Sequence, residues 1–294
     1  MPRPVVTALT RSIAQSTTDR ALPRARAAVD TLTAQLATGK RIQRPSDDPG
    51  GFAQAASLAQ LQDQLGRYGK SIDAASLWTD RTQVELSALS DLFTEANVLG
   101  LRASNGVVTT DEMAAEVEGL RDEVIARLNA KSGDEYLFSG TQSGTAPIDP
   151  SGAVATGDFS GVRRREVAPG MSVTLNVTTA LEVDGVSAPD RLQALADAIR
   201  SGDATEMAAA LDGVQAGIDH FARLGGQRGA VSRPLLHARD AIETQDVQAG
   251  ERRAQIEEVD LASVLGAIQR RQTGLEAALR ASAATVQQSL MNYL

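Results

Sequence analysis

The chain has 294 residues, no cysteine, and a formal charge of -8 from 29 Lys and Arg against 37 Asp and Glu. The lack of cysteine excludes disulfides and thiolate metal sites, and the acidic balance argues against nucleic acid as a partner, because phosphate binding needs a basic surface. Aromatic residues make up only 3% of the chain, so a core must be built mainly from Leu, Val, Ile and Ala, which favours helices packed side by side.

Two further absences bear on location. The first 20 residues lack the apolar core of roughly 7 to 15 residues that a secretory signal carries, and no window approaches the roughly 18 apolar residues of a membrane span. These signals predict no membrane insertion and, taken alone, a cytoplasmic protein. That expectation fails for a chain that leaves the cell without a cleaved signal.

The N-terminal segment carries an amphipathic stripe in two parts that are out of register by two residues. Pro23 lies between them, and because proline cannot donate an interior helical hydrogen bond, we expect a kink or break near residues 17–23. The stripe predicts a helix that uses one face for packing, with apolar positions Val6, Leu9, Ile13, Val29, Leu32 and Leu36.

The stretch "TGKRIQRPSDDP", residues 38–49, joins this helix to the next and is called the joint here. A left-handed Gly39 is expected to end the first helix, and Pro45 biases Arg44 towards extended backbone. Ser46, Asp47 or Asp48 is expected to cap a helix that begins near Pro49. Lys40, Arg41 and Arg44 are expected to pair with acids of neighbouring subunits.

An enzymatic alternative takes Asp47 and Asp48 as metal ligands or as an acid and base pair. Adjacent side chains diverge in direction on a helix, and the chain has only two histidines, neither of them in an H-E-x-x-H spacing. The structural interpretation of the joint is therefore favoured. We expect no catalytic, cofactor or metal site.

The strongest periodic signal follows the joint. Steps of three and four from Leu58 to Ala103 meet apolar residues at all but three positions, which predicts a long helix from Phe52 to Ala103 with a sustained heptad seam. At 1.5 Å per residue this helix would be on the order of 75 Å long. Trp78 is expected at the rim of the seam.

The middle of the chain changes texture twice. Thr109 and Glu112 form a capping box for a second helix that ends near "KSGDE". Glycines and short β-branched runs over residues 136–186 then predict a small sheet of hairpins. Pro189 opens a short helix to Ile199.

A further helix follows, and "LGGQRG" at residues 224–229 is expected to terminate it. Arg228 and the backbone amides of this stretch could offer a phosphate site, but the P-loop pattern is missing and no strand precedes it. His220 and His237 are interpreted as polar edges of helix faces.

From about Pro234 to the end no glycine cluster or proline intervenes, which predicts one very long helix. Its last part carries a seam at Leu261, Leu265, Ile268, Leu275, Leu279, Val286, Leu290 and Tyr293. The economical arrangement pairs residues 5–37 with residues 262–293 in antiparallel fashion, and residues 52–104 with the helix from residue 234 onward.

The predicted fold class is mainly α, with long antiparallel coiled-coil helices from both ends of the chain and a small β-rich insert. The predicted domains are a terminal coiled coil (1–38 and 261–294), a helical rod domain (39–135 and 190–260) and the β-rich insert (136–189). Periodicity leaves self-association and a purely intramolecular bundle about equally favoured. An exposed pair of terminal helices is marginal alone because ordering the backbone costs more than one stripe contributes.

Four stretches in order resemble the family of flagellins and flagellar hook-associated protein 3: "LATGKRIQRPSDDPGGFAQA", "GDEYLFSGTQSGTAPI", "GGQRGAVSRPLLHARDAI" and the final segment from "EEVDLASVLGAIQRR" to "SLMNYL". The resemblance covers roughly two thirds of the chain. "PSDDP", "YLFSGT" and "SLMNYL" are more like the hook–filament junction protein than a filament flagellin. Pro23 and "DPGG" depart from the family pattern.

The resemblance implies a non-enzymatic structural subunit of the bacterial flagellum without cofactors, exported unfolded by the flagellar type III apparatus and located outside the cell at the hook–filament junction. It implies self-association, the preceding hook-associated protein on the hook side, flagellin on the filament side and an export chaperone at the C-terminal helix. The alternatives are a flagellin-type filament subunit and, more remotely, a metal-dependent hydrolase on a helical scaffold.

Overall fold

The structure, a computed structural model, describes residues 23–106 and 110–291. The predicted mainly α fold with a small β-rich insert is confirmed. Residues 23–38 form α1. The other helices of the described residues are α2 (Pro49–Ser104), α3 (Thr110–Leu128), α4 (Ala188–Ser201), α5 (Ala204–Glu257) and α6 (Leu261–Met291).

The strands form three separate antiparallel pairs between α3 and α4. Each pair joins consecutive strands, and the connections are short, as the glycine-rich texture predicts. The middle pair is the longest, with Arg165 opposite Val173. The strands are β1 (Lys131–Ser132), β2 (Glu135–Tyr136), β3 (Arg164–Ala168), β4 (Met171–Thr174), β5 (Glu182–Val183) and β6 (Val186–Ser187).

The chain divides into two compact units. One, called the terminal unit here, comprises residues 1–63 and 246–294, and the other, called the central unit, comprises residues 64–245. The boundaries fall inside α2 and α5. The three domains drawn from the sequence therefore stay a prediction.

The core of the central unit forms along the predicted heptad seam of α2. Leu86, Leu89 and Phe93 are fully buried there, and the ring of Phe93 packs against Phe221 of α5 with 5.2 Å between centroids. Gly217 makes this approach possible, because a Cβ at that position would overlap with the Phe93 ring. The seam thus builds the core that its period predicts.

Two polar seam positions are also accommodated. The hydroxyls of Thr79 and Thr82 are buried, and each donates a hydrogen bond of 2.8 Å to the carbonyl four residues earlier. Neither therefore leaves an unsatisfied polar group. Trp78 departs from its prediction. It is buried rather than at the rim, and Arg163 lies over its ring at 4.7 Å.

The prediction that "LGGQRG" ends a helix is wrong. Helix α5 continues through Gly225, Gly226 and Pro234 to Glu257. Arg228 explains part of this continuity, since its buried guanidinium donates to the carbonyls of Thr174 at 2.9 Å and Leu175 at 3.0 Å. Burial lowers the pKa of Arg228, and the side chain anchors the end of β4 to α5 instead of forming a phosphate site.

The prediction of one unbroken helix from Pro234 to the end is also wrong. Helix α5 stops at Glu257 and α6 starts at Leu261. Asp260 caps the new helix, with its carboxylate accepting from the backbone amide of Ala262 at 3.0 Å. The break needs no glycine or proline because backbone partners from the joint replace the missing helical bonds.

None of the helices in the described part of the chain is long and apolar enough to cross a membrane.

Candidate functional site

The joint is fastened to the break between α5 and α6 by backbone hydrogen bonds. Lys40 and Glu258 form an isolated antiparallel bridge. The amide of Arg41 donates to Glu257 O at 2.6 Å, and the amide of Val259 donates to Gly39 O at 3.0 Å. The end of α1 and the start of α6 are thereby held side by side, as an antiparallel pair of terminal helices requires.

The local geometry of the joint follows its sequence. Gly39 has φ +68°, the left-handed conformation predicted for the end of α1. Asp48 caps α2, since its Oδ1 accepts from the amide of Gly51 at 2.9 Å. The joint therefore turns the chain from α1 into α2 with a glycine at one end and an aspartate at the other.

The two adjacent aspartates have different partners. Asp47 Oδ2 accepts from the amides of Gln43 at 3.0 Å and Arg44 at 2.8 Å, which closes the loop before α2. These bonds, Gln43 first, lower the pKa of Asp47. Because Asp48 caps α2, the two carboxylates point to separate amides and do not form an acid and base pair.

Ion pairs within the chain surround the bridge. Lys40 Nζ lies 2.8 Å from Glu257 Oε2, and Arg253 Nε lies 3.4 Å from the same oxygen. The hydrogen bond from Lys40 lowers the pKa of Glu257, with the charge of Arg253 adding to it. Arg41 pairs with Asp48 at 3.5 Å. Lys40 and Arg41, expected to pair with neighbouring subunits, thus have acidic partners inside their own chain.

Packing reinforces these polar contacts. Ile42 is buried in the middle of the joint, and a Cβ at Gly51 would approach the Ile42 side chain to 2.6 Å. Gly51, the second glycine of "DPGG", is therefore required by the close contact between the joint and the first turn of α2.

Sequence reasoning missed the partner side of this site. Glu257, Ile256 and Val259 were assigned to the interior of a continuous helix, yet Arg41 Nη2 donates to Ile256 O at 3.0 Å. The available signal was "EEVD", in which Asp260 precedes an apolar-periodic run and is a good helix cap.

The predicted seam of α6 is largely uncovered at its start. Leu261 is 50% exposed, Leu265 54% and Leu279 40%, whereas Ile268 and Leu275 are partly buried. Large apolar side chains exposed along one helix mark an interaction surface. This face of α6 is a candidate for contact with another protein.

The predicted stripe of α1 is better covered. Val29, Leu32 and Leu36 are all partly buried while most of the residues between them are exposed. Six further seam positions lie outside the residues whose side chains the structure describes: Val6, Leu9, Ile13, Val286, Leu290 and Tyr293.

The carboxylates of the joint have structural partners. Over residues 23–106 and 110–291, no three His, Asp or Glu side chains lie close enough together to hold a metal ion. Its carboxylates instead accept hydrogen bonds from amides or pair with bases. Such an arrangement fixes the backbone geometry of the joint.

Known proteins resemble part of this chain in sequence and a larger part of it in fold. A family model described as the bacterial flagellin N-terminal helical region matches residues 10–143. Flagellar hook-associated protein 3 of Salmonella typhimurium is 33% identical over 137 residues, which cover 44% of this chain and 41% of that protein. The resemblance to the flagellin and hook-associated protein 3 family is confirmed. The matched region spans less than half of the relative's length.

Solved structures agree in fold over a larger part of the chain. A hook-associated protein described as putative, from Vibrio parahaemolyticus, superposes with a TM-score of 0.66 at 20% identity, covering 72% of this chain and all of that one. FlgL from Bacillus cereus superposes with a TM-score of 0.57 at 19% identity, covering 68% of this chain and 98% of that one. At these identities the likeness concerns the fold.

Proposed function

We propose that this chain is a structural subunit of the bacterial flagellum that joins the hook to the filament. The observation that carries the proposal is the exposed apolar face of α6 at Leu261, Leu265 and Leu279. This helix starts beside the joint, which backbone hydrogen bonds hold in place. Its relatives among the hook-associated proteins supply the setting.

The joint and the exposed face of α6 have different roles. The joint aligns the start of α6 through the Arg41 and Val259 backbone bonds, so the direction of the helix is set before any partner arrives. Preorganisation of this kind lowers the entropy lost on binding. The uncovered leucines then gain free energy only when another subunit covers them.

The proposed partners follow from the resemblance to the hook-associated proteins. Further copies of the chain surround the α6 face, the preceding hook-associated protein lies on the hook side and flagellin lies on the filament side. The protein is exported unfolded through the flagellar type III apparatus without signal cleavage, and a chaperone holds the C-terminal helix until assembly. The lack of cysteine is compatible with this route, since no disulfide obstructs an unfolded chain.

Deletion of the gene is the direct test. We expect cells with complete hooks that secrete flagellin but retain no filament, and recovery of filaments when the gene is restored. Immunogold labelling is expected at one band between hook and filament. Intact filaments in the deletion strain would contradict the junction assignment.

A flagellin-type filament subunit is the second candidate, favoured by the match to the flagellin N-terminal region. It predicts labelling along the whole filament instead of one band. The more remote hydrolase predicts bound metal and phosphoesterase activity that disappears when Asp47 and Asp48 are replaced by Asn. Activity of the purified chain that survives this replacement would remove the candidate residues of that alternative.

A further inference from the structure

The face of α2 that points away from the core of the central unit carries both large apolar side chains and acidic side chains. Leu77 and Val84 are each 61% exposed and Val98 is 42% exposed. Their spacing in multiples of seven places them on one side of the helix, opposite the buried seam. Asp80, Asp91 and Glu95 share this side, and the six residues are called the acidic face of α2.

The carboxylates of this face are available. None of the three forms an ion pair with any residue in the described ranges. Asp73, about two turns before Asp80 in the same helix, differs because its carboxylate lies 3.0 Å from the guanidinium of Arg239. An exposed helix face that alternates large aliphatic side chains with unpaired carboxylates fits a groove with an apolar floor and a basic rim.

The terminal unit contains a groove of that character. It has a volume of about 520 Å³ and lies between the first turns of α2 and the last turns of α5. Arg252 stands at its rim, exposed and without an acidic partner in the described part of the chain. The terminal groove is lined by Ala53, Gln54, Ser57, Leu58, Arg252, Gln255 and Ile256.

The two units also differ in charge. Residues 1–63 and 246–294 carry 13 Lys and Arg against 11 Asp and Glu, a formal charge of +2, whereas residues 64–245 carry 16 against 26, a formal charge of -10. Two copies of this chain therefore attract each other when the terminal unit of one approaches the central unit of the other, and repel when two central units meet.

We propose that the terminal groove of one copy receives the acidic face of α2 from a second copy, with Leu77 and Val84 entering the groove and Asp80 facing Arg252. Asp80 lies between the two apolar residues on the same side of the helix, so one groove engages all three. The inference rests on the proposed function only in its choice of a second copy as the occupant.

A contact between two different patches has a consequence for assembly. Each copy keeps an unused groove and an unused acidic face after its first contact. Such a heterologous contact continues into a ring or a helical array and does not stop at a closed pair. This is the geometry that a sleeve of subunits around an axis requires.

Cross-linking of the purified full-length chain tests the contact. Because the chain has no cysteine, Ser87→Cys beside the acidic face and Gln255→Cys in the terminal groove introduce unique thiols at exposed positions and leave Asp80 and Arg252 unchanged. We expect a mixture of these two single variants, treated with a short bismaleimide, to give at least about threefold more mixed dimer than Ser87→Cys mixed with Asp212→Cys, and to lose the difference at high salt. Equal yields from both mixtures would overturn the proposal.

A charge exchange gives the second arm. We expect Asp80→Arg and Arg252→Asp each to weaken association of the purified chain, measured by sedimentation at high concentration, and the double variant to restore it. Two single losses without restoration would contradict the pairing of these residues. Neither arm needs a flagellum, so the proposed function can fail in the deletion strain while this contact stands, or the reverse.

Discussion

Lys40 and Glu257 form an ion pair of 2.8 Å that connects the joint to the last turn of α5. These residues are separated by more than two hundred positions. The backbone of Lys40 also pairs with that of Glu258, the residue after Glu257, in the bridge between the end of α1 and the start of α6. The stability of the Lys40–Glu257 ion pair therefore reports on the contact that holds the end of α1 beside the start of α6.

Glu257→Gln is expected to lower the free energy of unfolding of the terminal unit by about 0.5 to 1 kcal/mol at neutral pH. Since Lys40 lowers the folded-state pKa of Glu257, the stabilisation is present above the unfolded pKa of this carboxyl and disappears as the pH falls through the lower folded value. Urea unfolding of the variant and the wild type should differ at neutral pH and converge in acid.

Glu276→Gln is the control for that comparison. Its carboxylate lies 4.0 Å from Arg280, and both side chains are well exposed. No measurable change is expected at either pH. A loss of stability from Glu257→Gln that persists in acid would show that the charge of Glu257 is not the cause.

Asp48→Ala is expected to cost about 1 kcal/mol, because it removes the cap on the Gly51 amide at the start of α2. Hydrogen exchange of the amides in the first turn of α2 is the measurement. Asp63→Ala, at an exposed position inside the same helix, is the matched control. Equal protection in both variants would remove Asp48 as the cap.

Helix α2 and the short helix α4 were predictable because their apolar periods are carried by local sequence. Helix α5 was not, since Gly225 and Gly226 each disfavour a helix by about 1 kcal/mol, and the buried Arg228 that offsets them finds its acceptors on Thr174 and Leu175. A distant partner of this kind leaves no periodic signal.

The candidate site divides in the same way. Gly39 acts through its own left-handed backbone conformation, and Asp48 acts through a bond to Gly51 three residues later. Both residue types predict their roles from the local sequence. The break after Glu257 depends on backbone partners in the joint, which lie at the other end of the sequence. Local pattern therefore supplied one half of the joint and long-range pairing supplied the other.

Gly217→Ala is expected to destabilise the central unit by about 1 to 3 kcal/mol, because the added Cβ would overlap with the Phe93 ring. Gly225→Ala, in the same helix with no atom within 4 Å of the added carbon, should raise stability by about 0.5 to 1 kcal/mol. Thermal unfolding of the two variants should therefore move in opposite directions. A shift of the same sign would contradict the close packing at Gly217.

Arg228→Met is expected to cost about 1 to 3 kcal/mol, since it leaves the carbonyls of Thr174 and Leu175 without their donor. In this variant, the protection of backbone amides against hydrogen exchange should fall at the end of β4 as well as across the protein. Arg233→Met, an exposed position on the same helix, should change stability by less than about 0.5 kcal/mol. Equal effects of the two variants would contradict the anchoring role of Arg228.

The most direct test of the assembly role replaces exposed leucines of the α6 face in the deletion strain. The double variant Leu261→Gln and Leu265→Gln is expected to keep the thermal stability of the wild type, because both side chains are half exposed, and to leave hooks without filaments under the electron microscope. Leu236→Gln, an exposed leucine of α5, should restore filaments as the wild type does. Filaments retained at the wild-type frequency by the folded double variant would contradict the account.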